Sequence, residues 1–263
     1  MRILGLDLSI TSPAFCIMTV DDNTFKITNI ELHGFTDTIK WRYVGDNLTI
    51  HAIPENYKKH PPHYRATLIL QVIDQYVNDI DYVAVEDYAY DGKGKIFDIA
   101  ECSGALKNYF YVRNIPMKKY PPTTVKLAVT DNGRADKVLM LVYFKQSYLR
   151  TLVNQHIFEL PEADNPQEDL IDSIYMANVL RCELHYNEHG KIPDDHGMLY
   201  NPTIVALVKG KPGAKTRPAI EHPTIIFGGF TRPKAKKVEK KEKKVKEDKP
   251  VKVRSPKKKF ENK

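Results

Sequence analysis

Four acidic residues stand where chemistry is possible. Asp7 lies near the end of a short apolar run, Arg2 to Leu8, and Glu86 directly follows another, Tyr82 to Val85. Asp169 and Asp172 are three residues apart at the start of a helical pattern, so they share one helix face. A carboxylate ending a buried strand has two options. It hydrogen-bonds the next turn, which after Asp7 is SITSP, or it is neutralised, paired or bound to a cation, because a lone buried charge is very costly. Carboxylates from three distant segments that point at one place repel strongly without a cation. Hard oxygen donors of this kind suit Mg²⁺ or Mn²⁺. Two such ions about 3.5–4 Å apart can activate a water and stabilise the leaving oxygen in phosphodiester hydrolysis.

Other chemistries find less support. Cys16, Cys102 and Cys182 show no CxxC spacing, which argues against a zinc site and for a reducing compartment such as the cytoplasm. His51, His60 and His63 fall in one stretch, yet these three show no HxxxH or HExxH spacing among themselves.

The elements around the acids can be read from periodicity. Ile3, Leu4, Leu6 and Leu8 form a strand buried on both faces. A Ser/Thr/Pro turn leads to a second strand, Ala14 to Val20, and an Asp-Asp-Asn turn leads to a third, Thr24 to His33. Short turns predict an antiparallel meander. Pro61-Pro62 opens a helix with Ala66, Ile69, Leu70, Ile73, Tyr76 and Val77 on one face. Tyr82 to Val85 is the fourth strand, Ile96 to Arg113 an amphipathic helix, and Pro116 to Tyr120 the fifth strand. The stretch PPTTVKLAVTDNGRADKVLMLVYFKQ predicts helix, Asp-Asn-Gly turn, helix. A last helix is expected from about Gln167 to Cys182.

Charge is unevenly spread along the 263 residues. Residues 231–263 hold 16 Lys/Arg against 5 Asp/Glu, while the preceding 230 residues hold 24 against 28. The chain is therefore a mildly acidic body with a basic tail. That tail has almost no aromatics and is expected to be disordered. Its charge would attract polyanions, nucleic acid first. No apolar stretch approaches the roughly 20 residues of a membrane span, and no signal peptide is visible at the N-terminus.

The pieces ILGLDLSITSPAF, YVAVEDYAY, YPPTTVKLAVTDNGRADK and DLIDSIYMA carry a resemblance. In order and approximate spacing over residues 1–182, the sequence resembles the RuvC-type Holliday junction resolvases of the ribonuclease H-like nuclease superfamily. VTDNGRADK is the most specific piece. The resemblance implies an α/β fold, with a mixed five-stranded sheet of order 32145 and flanking helices. It implies an Mg²⁺-dependent endonuclease, with Mn²⁺ as substitute, that nicks four-way DNA junctions symmetrically as a homodimer. The metal ligands would be Asp7, Glu86, Asp169 and Asp172, with Glu168 adjacent. Lys126 and Lys137 would face the DNA backbone, and Lys137 would also stabilise charge near the scissile phosphate. Tyr88 and Tyr90 flank the position where the family places a stacking aromatic, here Ala89. The same loop carries Lys93 and Lys95 as further DNA contacts.

The resemblance divides the chain into a nuclease domain at 1–182, a peripheral extension at 183–230 and the tail at 231–263. Residues 34–61 form a longer link than usual, an elaboration that resembles phage- or virus-encoded members. Two alternatives stay open: a nuclease of the same superfamily acting on forks, flaps or RNA, and a noncatalytic nucleic-acid-binding module.

Overall fold

The computed structural model describes residues 1–9, 12–54, 59–87, 96–159 and 166–195. The loop holding Tyr88, Tyr90, Lys93 and Lys95, most of the expected extension and the whole basic tail lie outside these residues. Seven strands form one mixed sheet: β1 (Arg2–Asp7), β2 (Ala14–Val20), β3 (Ile27–Thr36), β4 (Tyr43–Gly45), β5 (Leu48–Ala52), β6 (Tyr82–Glu86) and β7 (Met117–Tyr120). Five helices accompany it: α1 (Pro62–Ile73), α2 (Ile96–Val112), α3 (Pro122–Thr130), α4 (Lys137–Gln146) and α5 (Gln167–His189).

The sheet order is β4-β5-β3-β2-β1-β6-β7. Its inner five strands reproduce the expected 32145 order. β1, β2 and β3 form the antiparallel meander, and β6 and β7 continue in parallel from β1. The five-strand expectation is corrected to seven by β4 and β5, a hairpin inside the 34–61 stretch. β5 pairs in parallel with β3, and β4 pairs antiparallel with β5. The hairpin is short and only Leu48 and Ile50 alternate inward, which leaves little hydrophobic period to detect. Asn47 supplies the left-handed turn residue at φ 58°.

Strand alternation sorts the side chains onto two cores. Leu4, Leu6 and Leu8 face one side with Phe15, Val83 and Val85, covered by α1 and α2. Ile3, Cys16, Met18 and Ala84 face the other, covered by α3, α4 and α5. The period of two then puts Asp7, in step with Ile3, and Glu86, in step with Ala84, on the α5 face.

α5 lies almost directly on β1, and Gly5 is the reason. A Cβ at Gly5 would stand 2.1 Å from the Ser173 carbonyl oxygen and 2.8 Å from the Ala177 nitrogen, so no larger residue fits without displacing the helix. This central packing also explains why α5 runs past Cys182 to His189. Arg181, Glu183 and His185 read as polar, but they are buried and paired. Glu183 accepts from Lys118 Nζ and, at 2.8 Å, from the Tyr120 hydroxyl, both on β7. Arg181 donates to the Phe25 carbonyl at 2.7 Å and to Asp195 at 2.8 Å. Gly190, at φ 71°, closes the helix in the left-handed region.

Candidate active site

β1 and β6 run parallel, so both deliver a carboxylate to the same edge of the sheet. The first turn of α5 meets them there. Asp7 and Asp169 are buried, at 6 % and 7 % exposure. Burial pushes the Asp7 carboxyl well above the ordinary carboxylate range, and the charges of Asp169, Glu86 and Asp172 raise it further. Glu86 is pushed up to about 7, by burial first and then by Asp172 and Asp169. Asp172 is also pushed up to about 7, by burial and by Asp169. Asp169 is raised by burial, against opposing contributions from Ser12 and Lys137. The four acids named from the sequence thus form one mutually repelling group, although 162 positions separate Asp7 from Asp169.

The two lysines are at the same place. Lys126 on α3 lines a small open cleft together with Glu86, Asp172, Val125, Met140 and Met176. Its charge lowers the pKa of both Glu86 and Asp172. Lys137 is the first residue of α4. Asp131, at φ 57°, ends α3, and Asp136 caps α4 by accepting from the Leu139 nitrogen at 2.8 Å. The DNGRAD segment is therefore the turn that places Lys137 opposite α5. Its ammonium lies 2.5 Å from Glu168 and 3.9 Å from Asp169. Burial acts to lower the Lys137 pKa, but the bond to Glu168 and the charges of Asp169, Glu168 and Asp172 leave it raised.

The first option open to Asp7 is realised. Its Oδ1 accepts from the Ser9 nitrogen at 3.0 Å, so it bonds the next turn while still facing the other acids. Ser12, in the same turn, donates to Asp169 Oδ2. Ser12 was not among the residues named from the sequence. The available signal was a second serine three residues after Ser9, in the turn that directly follows Asp7.

The described residues contain no ready-made group of three His, Cys, Asp or Glu that could hold an ion. Asp7 and Asp169 each accept a hydrogen bond from the turn after β1, and Lys126 and Lys137 partly offset the charge of Glu86 and Asp172. The donor set still fits a hard divalent cation in kind. It is all carboxylate oxygen, Asp7 and Asp169 are buried while Glu86 and Asp172 border a cleft, and its main electrostatic defect is excess negative charge. No described helix is long and apolar enough to cross a membrane.

The sheet is mixed, its inner five strands have the order 32145, and acids stand at the ends of the first and fourth of these and on the last described helix. No family profile matches the chain. In sequence it is similar to the crossover junction endodeoxyribonuclease RuvC of Fusobacterium nucleatum subsp. nucleatum. The two are 24 % identical over 189 residues, covering 71 % of this chain and 85 % of the relative. Among solved structures, Thermus thermophilus RuvC matches with a TM-score of 0.44 and 20 % identity, over 73 % of this chain and 99 % of that one. Fowlpox virus resolvase, in complex with substrate Holliday junction DNA, matches with a TM-score of 0.43 and 18 % identity, over 70 % and 99 %.

Proposed function

We propose that this protein is a divalent-metal-dependent endonuclease that resolves four-way DNA junctions by paired symmetric nicks. The observation that carries the reading is the convergence of Asp7, Glu86, Asp169 and Asp172 at one sheet edge, each pushed toward protonation by burial and most by its neighbours. The junction itself, as substrate, is suggested by the similarity to RuvC.

Asp7, Glu86, Asp169 and Asp172 would hold Mg²⁺ or Mn²⁺. When bound, the metal supplies an activated water and stabilises the leaving oxygen. The protein's own groups do the rest. Burial shields Asp7 and Asp169 from water, and the ends of β1 and β6 fix Asp7 and Glu86. Lys126 and Lys137 neutralise the DNA backbone entering the edge, and the Lys137 ammonium stabilises charge developing on the phosphate. Water attacks phosphorus, the bond to the 3′ oxygen breaks, and 5′-phosphate and 3′-hydroxyl ends result. Tyr88 and Tyr90 would stack on bases and Lys93 and Lys95 contact phosphates, beside the Glu86 strand end.

A second copy would double the site. α2 turns outward Phe97 at 83 % exposure and Val112 at 61 %, with open space over Gly104. We assign this face to a homodimer whose two-fold axis matches that of the junction.

The deciding experiment is cleavage of a synthetic four-way junction with Mg²⁺ or Mn²⁺, comparing wild type with Asp7→Asn. Wild type cuts and the variant does not; equal activity in both overturns the assignment. Forks, flaps and RNA–DNA hybrids run alongside test substrate range. Equal rates on all of them would replace junction resolution with general debranching.

A further inference from the structure

The turn between β1 and β2 reaches two of the four acids, and only one of these contacts is local. Ser9 donates its backbone nitrogen to Asp7, two residues away. Ser12 donates its hydroxyl to Asp169 Oδ2, 157 residues away. Of the four acids, Asp169 is the one whose pKa a side-chain hydroxyl lowers.

Contacts on either side hold the residue that carries the hydroxyl. The Ser12 nitrogen donates to Ser9 Oγ at 3.4 Å, a long bond. Pro13 follows, which fixes its own φ and confines Ser12 to extended backbone. The Pro13 carbonyl accepts from the Phe35 nitrogen at 3.0 Å, pinning the turn to β3. The turn is thereby tied to the sheet on both sides of Ser12.

We infer that Ser12 is a positioning residue for metal binding, selecting which oxygen of Asp169 a cation would meet. Asp169 begins the only segment that carries two of the acids. Its charge repels that of Asp7 across the contact between α5 and β1. With Oδ2 committed to Ser12, Oδ1 remains on the side of Lys137, 3.9 Å away. Without the hydroxyl, the carboxylate can turn about its own bonds, and the cation must order it on arrival. Partners of this kind, one step removed from a metal, typically change its affinity by about 10–100-fold. The inference rests on the reading of the four acids as metal ligands.

The test is Mn²⁺ binding to the full-length, DNA-free protein, measured by titration calorimetry and by the loss of free Mn²⁺ paramagnetic resonance. Ser12→Ala should weaken Mn²⁺ binding by about 10–100-fold. Ser12→Thr, which keeps the hydroxyl, should bind within a few-fold of wild type. Ser12→Cys, of the same shape and slightly larger but a poor donor, should behave like Ser12→Ala and controls for a turn that fails to form when truncated. Junction cleavage should follow the same order at low Mn²⁺ and converge at saturating Mn²⁺. Wild-type affinity in both Ser12→Ala and Ser12→Cys overturns the role of Ser12. A wild-type protein that binds no Mn²⁺ overturns the metal site itself, so the two failures are told apart by the wild-type arm.

Discussion

At the scale of single residues, the acids make the metal-free protein sensitive to pH with a definite sign. Glu86 and Asp172 are pushed up to about 7, so the folded state holds protons that the unfolded chain releases in the ordinary carboxylate range. The stability they contribute is complete at the acid end and is lost as pH rises through about 7. His51, lowered to about 4 by burial and by His33, acts in the opposite sense over part of that window. A comparison isolates the carboxylates: in chelator, Asp172→Asn and wild type should melt together near pH 4, with the variant more stable at pH 8. Thermal melts across that range check it, and a gap that closes as pH rises would contradict the arrangement. Lys137 supports a kinetic expectation. Lys137→Met should slow junction cleavage by about 10²-fold, with junction binding changed far less, because one aimed cation at a developing charge is worth that much. Single-turnover rates and binding isotherms separate the two effects.

Much of the residue-scale site was legible because its members sit at pattern boundaries. Asp7 and Glu86 interrupt apolar runs, and Asp169 and Asp172 share a helical spacing. Ser12 was not legible in the same way. Its partner is 157 positions distant, and a serine in a Ser/Thr turn has an ordinary local explanation.

At the scale of elements, α5 is the part on which the others depend. Sixteen of its 23 residues are buried, so it behaves as a core element. Its close seat on β1 requires Gly5. Gly5→Ala should therefore cost about 1–3 kcal/mol or more through overpacking, and should weaken metal binding by moving Asp169 and Asp172 away from Asp7. Denaturant unfolding and Mn²⁺ titration measure the two consequences. The Lys118–Glu183 pair is the second demand of this helix. Removing one partner strands a buried charge, so Lys118→Met should destabilise the fold by about 3–5 kcal/mol. Urea unfolding checks this, and a neutral result would mean that Glu183 is satisfied by Tyr120 alone. The sequence showed α5 as a helix and not as a buried one past Cys182, because Arg181, Glu183 and His185 look solvated until their partners from β7, the segment before β3 and the Asp195 region are known. The β4–β5 hairpin stayed hidden for a related reason. It adds an edge to the sheet with only two inward residues, too few to impose a period.

At the scale of the whole molecule, the uneven charge invites a direct experiment. The body is acidic and the last 33 residues are strongly basic, so nonspecific attraction to DNA should reside mainly in the tail. Truncation after Gly229 should lower junction affinity and flatten its salt dependence, while leaving the metal dependence of cleavage intact. An unchanged salt slope would make the tail a solubility segment.

The seat of α5 also bears on how the protein is made. Two of the four acids belong to the last described helix, and that helix covers the face of the sheet toward which Asp7 and Glu86 point. During synthesis, β1 and β6 leave the ribosome long before α5 does. A nascent chain, or one terminated before α5, carries half of the ligand set on a sheet face that lacks its central helix. By the proposed chemistry, such products would be unable to cut DNA, and the completed chain would acquire its activity in the same packing step that completes its core.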